Sequence, residues 1–514
     1  MIVPASPTSP QRGNPSVQFE GQTIDQMIGD FMAERHIPGV TLAIVQAPYI
    51  SRVTGYGVTD LETRRLASPN TLWDVGQMTR AYTAVAIMQL VEAGKISLDD
   101  AIGKHVQDLP AAWQAVTVRQ LMAHASGLPD YTTQPGFDPA RDYKAGEILA
   151  LVRNLPAAFK PGARAAASAT DFFLLALAIE RASGMSYEAF VTTHQIERLE
   201  LKHTVFVSGL SSVKQEALDA APFKHSKFLQ DRPYIDPTEA ASGYTGNDGG
   251  LVKARRSSGT AWSGSGAIYA SAADISLWDI GLAGGLLVRE KKNRDILYAL
   301  YAAATIDGGA TVPANAGWRF PKHKGLMDIE GNVPGFSCYL ARFTDPGELL
   351  CVTLCGNRDG IDFTDLGRRI AGAFDPKLGP PAAVKGMISR ESTYSVPETV
   401  DRLESFLKGK GVEVSARIDH SAAAKKAGLD LPRTQVLIFG NPAVGTHLMQ
   451  SRRSIALDLP LRVAVWEETD GTVWAGYDEV GALAARHGVT DNGAVIEAMR
   501  KALEAAVKHA TAPY

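Results

Sequence analysis

Apolar residues recur along this chain in two rhythms, and the change from one to the other marks out its elements. Ile24, Met27, Ile28, Phe31 and Met32 fall at helical spacing, so this stretch is predicted to form an amphipathic helix. The run Val40–Val45 reads as a strand, and Ser51–Gly57 after it predicts a hairpin. From Leu72 to about Gly127 the pattern reads as helical, with Leu98-Asp99-Asp100 as a helix start. Strands are predicted again near Leu340–Thr344 and Leu349–Leu354, and a helix over Phe363–Phe374. Helices between strand groups at both ends of a segment predict an α/β sandwich, with an antiparallel sheet beside a helical region.

The pattern breaks at Asp375-Pro376-Lys377-Leu378-Gly379-Pro380-Pro381-Ala382-Ala383, which is a linker by composition. It then restarts. Val396–Lys408 carries Val400, Leu403, Phe406 and Leu407 on one helical face, and Val412–Ile418 alternates like a strand. Gln435–Phe439 and Leu461–Trp466 read as apolar strands, and Asn492–Ala510 as a closing helix. The predicted organisation is a flexible tail over residues 1–17, a first domain over 18–375, a linker over 376–389 and a small α+β domain over 390–514.

Composition narrows the partners. Hydrophobic residues make up 45% of the 514 and charged residues 21%, ordinary for a soluble globular protein, and the net charge of -3 offers no attraction to nucleic acid or to an anionic membrane. The apolar runs Ala81–Leu90 and Phe172–Ile179 are too short to span a bilayer and fit core helices. The first residues lack the basic start and apolar stretch of a secretory signal, so the expectation is a cytoplasmic protein, or an exported one if a leader has been removed. Cys351 and Cys355 lie too far apart along an extended run to bridge each other. Together with Cys338 they are expected to be buried small apolar residues, and the sequence calls for no metal or other cofactor.

The candidate chemistry starts at Leu72-Trp73-Asp74-Val75-Gly76-Gln77-Met78-Thr79-Arg80. This segment resembles the start of the active-site helix in the penicillin-recognising serine hydrolases, the family of class C β-lactamases, D-aminopeptidases and related esterases. Further signatures follow in the family's order: His36-Ile37-Pro38-Gly39-Val40, Gly94-Lys95-Ile96-Ser97-Leu98-Asp99-Asp100, His124-Ala125-Ser126-Gly127-Leu128, Ser265-Gly266-Ala267-Ile268-Tyr269 and Pro334-Gly335-Phe336-Ser337. The resemblance runs from about Ile24 to Phe374. It implies the α/β sandwich of the serine β-lactamase/penicillin-binding-protein type, an antiparallel sheet with flanking helices plus an all-α region.

At the motif positions the chain departs from this family. The S-x-x-K pair reads Gln77 and Arg80. A glutamine amide has no hydroxyl to attack with, and an arginine stays protonated and cannot serve as a base. The Y-x-N triplet after Pro161-Gly162 reads Ala167-Ser168-Ala169, and the H-x-G or K-T-G position reads Ile329-Glu330-Gly331. An upstream His323-Lys324-Gly325 lies at the wrong distance and reads better as a turn between strands.

The expectation is a non-acylating pseudoenzyme that binds a small-molecule or peptide-like ligand in a cleft lined by Gln77, Arg80, Ser168, Glu330 and Gly331. The alternative is a hydrolase or lyase working through Glu330 and Arg80 or through a replacement serine. The plainer reading of the same residues is an Arg80–Glu330 ion pair that plugs a dead site. Ser126, Ser168 and Thr79 are each expected to be structural. A third possibility is that the first domain is a platform and the second carries the function.

From about Arg390 onward, Ser395-Val396-Pro397-Glu398-Thr399-Val400, Ile418-Asp419-His420-Ser421, Leu437-Ile438-Phe439-Gly440-Asn441-Pro442 and Ala456-Leu457-Asp458-Leu459-Pro460-Leu461 resemble a small bacterial domain family of unknown function. The resemblance implies a compact α+β fold and a capacity to form a homodimer through this domain. Asp419, His420, Asn441 and Asp458 are the polar residues to inspect. Asp419, His420 and His447 match no metal-ligand spacing, so a capped turn and a surface histidine are expected.

Overall fold

The computed structural model describes residues 17–47, 49–212, 238–247, 250–299, 314–320, 325–344, 349–380, 384, 386–468 and 471–511. The tail expected over residues 1–17 lies outside these but for Val17, as do His323 and Lys324. The chain divides into two compact units, residues 1–320 with 325–380, and residues 321–324 with 381–514.

The first unit is built on an antiparallel sheet with a core on each face. Helix α1 (Ile24–Glu34) opens it, capped by Thr23, whose side chain accepts from the Gln26 N–H while the Gln26 side chain reaches back. Strands β1 (Gly39–Gln46) and β2 (Tyr49–Gly57) form the expected hairpin. β3 (Thr71–Asp74), α2 (Thr79–Glu92), α3 (Val118–Met122), α4 (Ala169–Ser183), β4 (Ile268–Ala270) and α5 (Ala272–Ala283) follow. β5 (Leu326–Val333), β6 (Phe336–Phe343) and β7 (Leu350–Gly356) complete the sheet in the order β5-β6-β7-β1-β2, with Trp318–Arg319 pairing outside β5, and α6 (Thr364–Gly372) returns across it. One face carries α1 and α6, with Met27, Ile28, Leu366 and Ile370 against Leu42, Tyr339 and Val352. The other carries the helical region, with Ile329, Leu340 and Cys338 against the cluster that includes α2 and α4. Central strands covered on both faces read as unbroken apolar runs, which is why β1 and β7 were plain in the sequence.

Two expectations need correction. Leu72, Trp73 and Asp74 are strand, paired antiparallel with β4, not the beginning of a helix. Both faces of this short strand are buried, and a short apolar run of that kind carries no period to tell it from a helix. Leu98-Asp99-Asp100 is a turn, not a helix start: Asp100 accepts from the Ser97 N–H at 2.9 Å, and only one 3-10 turn, Ile102–Lys104, follows. At the far end of the unit, Pro376–Leu378 forms a further 3-10 turn that tucks Leu378 into the α1/α6 core.

The second unit is a five-stranded antiparallel sheet. Its elements are β8 (Met387–Ser392), α7 (Val396–Gly409), β9 (Glu413–Asp419), α8 (His420–Lys426), β10 (Thr434–Gly440), α9 (Pro442–Ser451), β11 (Leu461–Glu467), β12 (Val473–Asp478), α10 (Val480–Arg486) and α11 (Gly493–Thr511). The strand order is β8-β12-β11-β10-β9. Helices α7 and α11 cover one face, burying Val400, Leu403, Leu503 and Val507 on Leu437, Val463 and Val465. A smaller core of Leu448, Ile455, Ala484 and Val489 ties α9, the 3-10 turn Arg453–Leu457 and α10 together. No helix among the described residues is long and apolar enough to cross a membrane.

Candidate functional site

Helix α2 is buried nearly all round, so its few polar groups must find partners inside the protein. A 3-10 turn, Gly76–Met78, precedes it and presents Gln77. The Gln77 Oε1 accepts from the Asn332 N–H at 2.6 Å, which fixes the amide against β5 and leaves its NH2 to point elsewhere. Gly331 makes this approach possible, because a Cβ there would run into the Val75 carbonyl oxygen. Asp74, at the end of β3, accepts from the Gly76 N–H at 3.1 Å, and burial pushes its carboxyl up to about 7.

One turn along α2, Arg80 reaches a second, wholly buried group. Its Nη1 lies 3.4 Å from His124 Nε2, and its guanidinium sits over the Phe172 ring at 5.7 Å. His124 Nδ1 lies 3.0 Å from Asp171 Oδ2, and the Ser126 hydroxyl donates to Asp171 Oδ1. The turn after α3 holds His124 in a left-handed conformation, φ +54°, and the first turn of α4 supplies Asp171. Arginine has no acceptor to offer, so Nε2 must face it with a lone pair; the neutral ring then carries its proton on Nδ1 and gives it to Asp171. Burial, with the charge of Arg80 beside it, holds His124 well below its usual range. Burial pushes the Asp171 carboxyl well above its usual range, against the pull of Ser126 and Arg80. Burial also lowers Arg80, which remains the cation of the site. Its Nε is buried with no partner.

The predicted site residues divide. Gln77 and Gly331 meet directly, and Arg80 and Ser168 flank His124. With the ring proton on Nδ1 given to Asp171, the Ser168 backbone N, 3.3 Å from Nδ1, packs against the ring and finds no lone pair there. The Ser168 hydroxyl is buried without a partner. Ala169 opens α4 within the core, and Ala167 is exposed. Glu330 does not join them. Successive residues of a strand face opposite ways, and Glu330 projects from β5 on the side away from Ile329 and Gly331. There it pairs with Arg319, Nη1 to Oε2 at 2.7 Å, and Arg319 also holds Asp328 at 2.7 Å. The expected Arg80–Glu330 plug is therefore corrected: each has another partner. Asp171 was missed because its place in the sequence, inside the apolar run of α4, offers no motif; a charged residue on a buried helix face was the available signal.

In the second unit, Asp419 caps α8 by accepting from the Ala422 N–H at 2.8 Å, and Asn441 caps α9 through the Ala443 N–H at 3.0 Å. His420 and His447 are exposed. Asp458 is placed differently. It accepts from His487 Nε2 at 2.8 Å and from Arg486 Nη1 at 2.9 Å, while His487 Nδ1 lies 3.0 Å from the Ser454 hydroxyl.

Comparison with known proteins separates the two units in the same way. A family model described as Domain of unknown function DUF302 matches residues 388–506. Protein flp of Staphylococcus aureus (strain MW2) is 29% identical over 201 residues, 38% of this chain and 40% of that protein. The fluoride-specific ion channel FluC 1 of Brucella suis biovar 1 (strain 1330) is 47% identical over 111 residues, 21% of this chain and 44% of that protein. The chain thus spans less than half the length of these curated relatives. Among solved structures, the octameric penicillin-binding protein homologue from Pyrococcus abyssi superposes with a TM-score of 0.56 at 20% identity, covering 88% of this chain and 89% of that one. The D-amino acid amidase from Ochrobactrum anthropi SV3 complexed with D-phenylalanine does so with a TM-score of 0.55 at 20% identity, covering 69% and 99%. These likenesses establish the fold. The Beta-lactamase family model matches residues 24–373, well over half of the chain, and the chain belongs to that family.

Proposed function

We propose that the first unit is a non-acylating member of its family that binds a small, carboxylate-bearing ligand at Arg80. The observation that carries this reading is the state of that guanidinium. It is half-buried and keeps its charge, yet its one hydrogen-bond partner among the described residues is a neutral histidine. No carboxylate is in hydrogen-bond contact with it among the described residues, since Asp130, Asp171 and Glu330 act on it only at longer range, and a planar guanidinium suits a carboxylate's two oxygens. The amide NH2 of Gln77, on the same face of the helix start, supplies a neutral donor beside it.

Two features argue against acyl transfer. Gln77 has no nucleophilic atom, and its oxygen is committed to Asn332. Ser126 gives its proton to Asp171, and Ser168 has its backbone, not its hydroxyl, toward His124. The reading with Glu330 as an acid or base loses its support because that carboxylate stands on the other side of β5.

The test is calorimetric titration of the full chain with N-acetyl-D-phenylalanine and with its uncharged amide, probes chosen from the amidase that shares the fold. The acid should bind at least about tenfold more tightly than the amide, the scale of one charge-assisted contact. Arg80→Gln should erase the difference, with no turnover of either compound. Equal binding of acid and amide, or no binding of the acid, would overturn the proposal.

A further inference from the structure

The second unit carries a separate constellation that the cleft reading does not use. Ser454, Asp458 and His487 are brought together from the 3-10 turn Arg453–Leu457 and the end of α10, across the small core of Ile455, Ala484 and Val489. Their hydrogen bonds run in one direction. Asp458 is held below its usual range by the bond from His487, with Arg486 adding to the effect, and so it is an acceptor. His487 Nε2, 2.8 Å from that carboxylate, must therefore carry the proton. Nδ1 is left with its lone pair, 3.0 Å from the Ser454 hydroxyl. The imidazole and the carboxylate are nearly buried, at 10% and 11% exposure, while Ser454 is open to solvent. A nucleophile within reach of a base, and a base steadied by a third group, is the arrangement that activates a serine.

The surroundings carry positive charge. Arg462 and Arg486 both reach Asp458, Arg452 reaches the Gly488 carbonyl next to His487, and Arg453 adjoins Ser454 in sequence. Asp458 answers part of this charge, Asp478 lies 3.9 Å from Arg486 and Asp491 acts on Arg452, which leaves Arg453 without a carboxylate in contact among the described residues. Leu457 beside Asp458 is 81% exposed. We infer that Ser454 is the nucleophile of a second, esterase-type site in this protein, with His487 as its base and Asp458 as the positioning residue, acting on short acyl esters that carry an anionic group.

The chemistry balances without a cofactor. The Ser454 Oγ–C bond forms as its proton passes to His487 Nδ1. The ester C–O bond then breaks and the leaving alkoxide takes that proton. Water attacks the acyl-serine by the same route in reverse, releasing the carboxylic acid and restoring the hydroxyl. Asp458 stabilises the imidazolium through Nε2–H in both halves.

The test uses the full chain, a fluorophosphonate probe and peptide mapping, followed by hydrolysis of 4-nitrophenyl acetate and of the monoanionic 4-nitrophenyl hydrogen succinate. The expected adduct is on Ser454, absent in Ser454→Ala. His487→Gln should slow labelling by roughly a hundredfold or more, the usual weight of a general base. Asp458→Asn should slow it comparably, because the amide can donate to Nε2 and turn the proton onto Nδ1, and Asp458→Glu should restore part of the rate. An unchanged thermal midpoint in these variants excludes unfolding as the cause. The succinate ester should react faster than the acetate, by a margin that shrinks in high salt. No adduct, or an adduct that survives Ser454→Ala, overturns the proposal; a faster acetate overturns its substrate class. Labelling at Ser454 is independent of ligand binding at Arg80, so the two readings fail separately.

Discussion

Asp171, His124 and Ser126 in the first unit, and Asp458, His487 and Ser454 in the second, are the same three residue types wired in different orders. In the first group the serine donates to the carboxylate, and the histidine turns its free nitrogen to Arg80. In the second the serine faces the histidine's free nitrogen, and the carboxylate sits behind the ring. The first group is buried throughout; the second has its serine in solvent. A list of residues would make these groups equivalent, whereas the order of donors and acceptors gives one the part of a prop beneath a cation and the other the part of an activated hydroxyl.

The largest expected effect tests burial. Asp171→Ala leaves the His124 N–H and the Ser126 O–H unpaired in the interior and should cost about 3–5 kcal/mol in denaturant unfolding of the first unit. Asp458→Ala removes a carboxylate that is nearly buried but whose Arg462 and Arg486 partners reach water, and should cost less, about 1–2 kcal/mol. Equal losses would mean that the two groups are alike in structural weight, and the contrast drawn above would fall.

Acidity gives the contrast a sign. Burial raises the native pKa of Asp171 and of Asp74 above the unfolded value, so their contribution to stability is fully present below the ordinary carboxyl range and is lost as pH rises through the native pKa. For Asp74 that window runs from 3.8 to about 7. Asp74→Asn should therefore stabilise the first unit at pH 8, by up to about 4 kcal/mol, relative to its effect at pH 4. Asp458 is shifted downward, so its contribution is present at neutral pH and is lost as pH falls through the native value. Asp458→Asn should thus be most damaging at neutral pH and least in acid. Unfolding of both variants between pH 3 and 8 should give differences from wild type that move in opposite directions; a shared direction would refute the assignment for one of the two.

How much of this was legible in the sequence follows from the same distinction. The outer elements of the first unit and the main helices and strands of the second announced themselves, because a half-buried or fully buried element leaves a period or an unbroken apolar run. Gln77 and Arg80 stood out because the residues around them resemble a known motif. The wiring did not. Asp171 and His124 lie 47 positions apart and His487 and Ser454 33 apart. No local pattern joins such pairs, and only the fold shows which nitrogen faces which oxygen. Arg319 was overlooked for a related reason: its hold on Asp328 and Glu330 is a contact between neighbouring strands, which depends on register.

The smallest expected effect sharpens the edge of the cleft. Glu330 was the residue that the sequence placed beside Gln77 and Arg80, and strand alternation moves it to the opposite face of β5. There Arg319 keeps Asp328, with Nε and Nη2 at 2.7 and 3.1 Å from its carboxylate, whatever becomes of Glu330. The Glu330 side chain is 51% exposed, so its own ion pair is partly screened by solvent. Glu330→Gln should therefore change stability by less than about 1 kcal/mol and raise the acid-over-amide preference at Arg80 by well under about tenfold, because Glu330 acts on that guanidinium only at longer range. The same titration that tests Arg80→Gln decides the matter. If Glu330→Gln strengthened binding of the acid by about tenfold, the removed negative charge would have been acting on the cleft across the strand. The sheet would then be no electrostatic partition between Glu330 and Arg80, and the ligand's charge would be read by both residues.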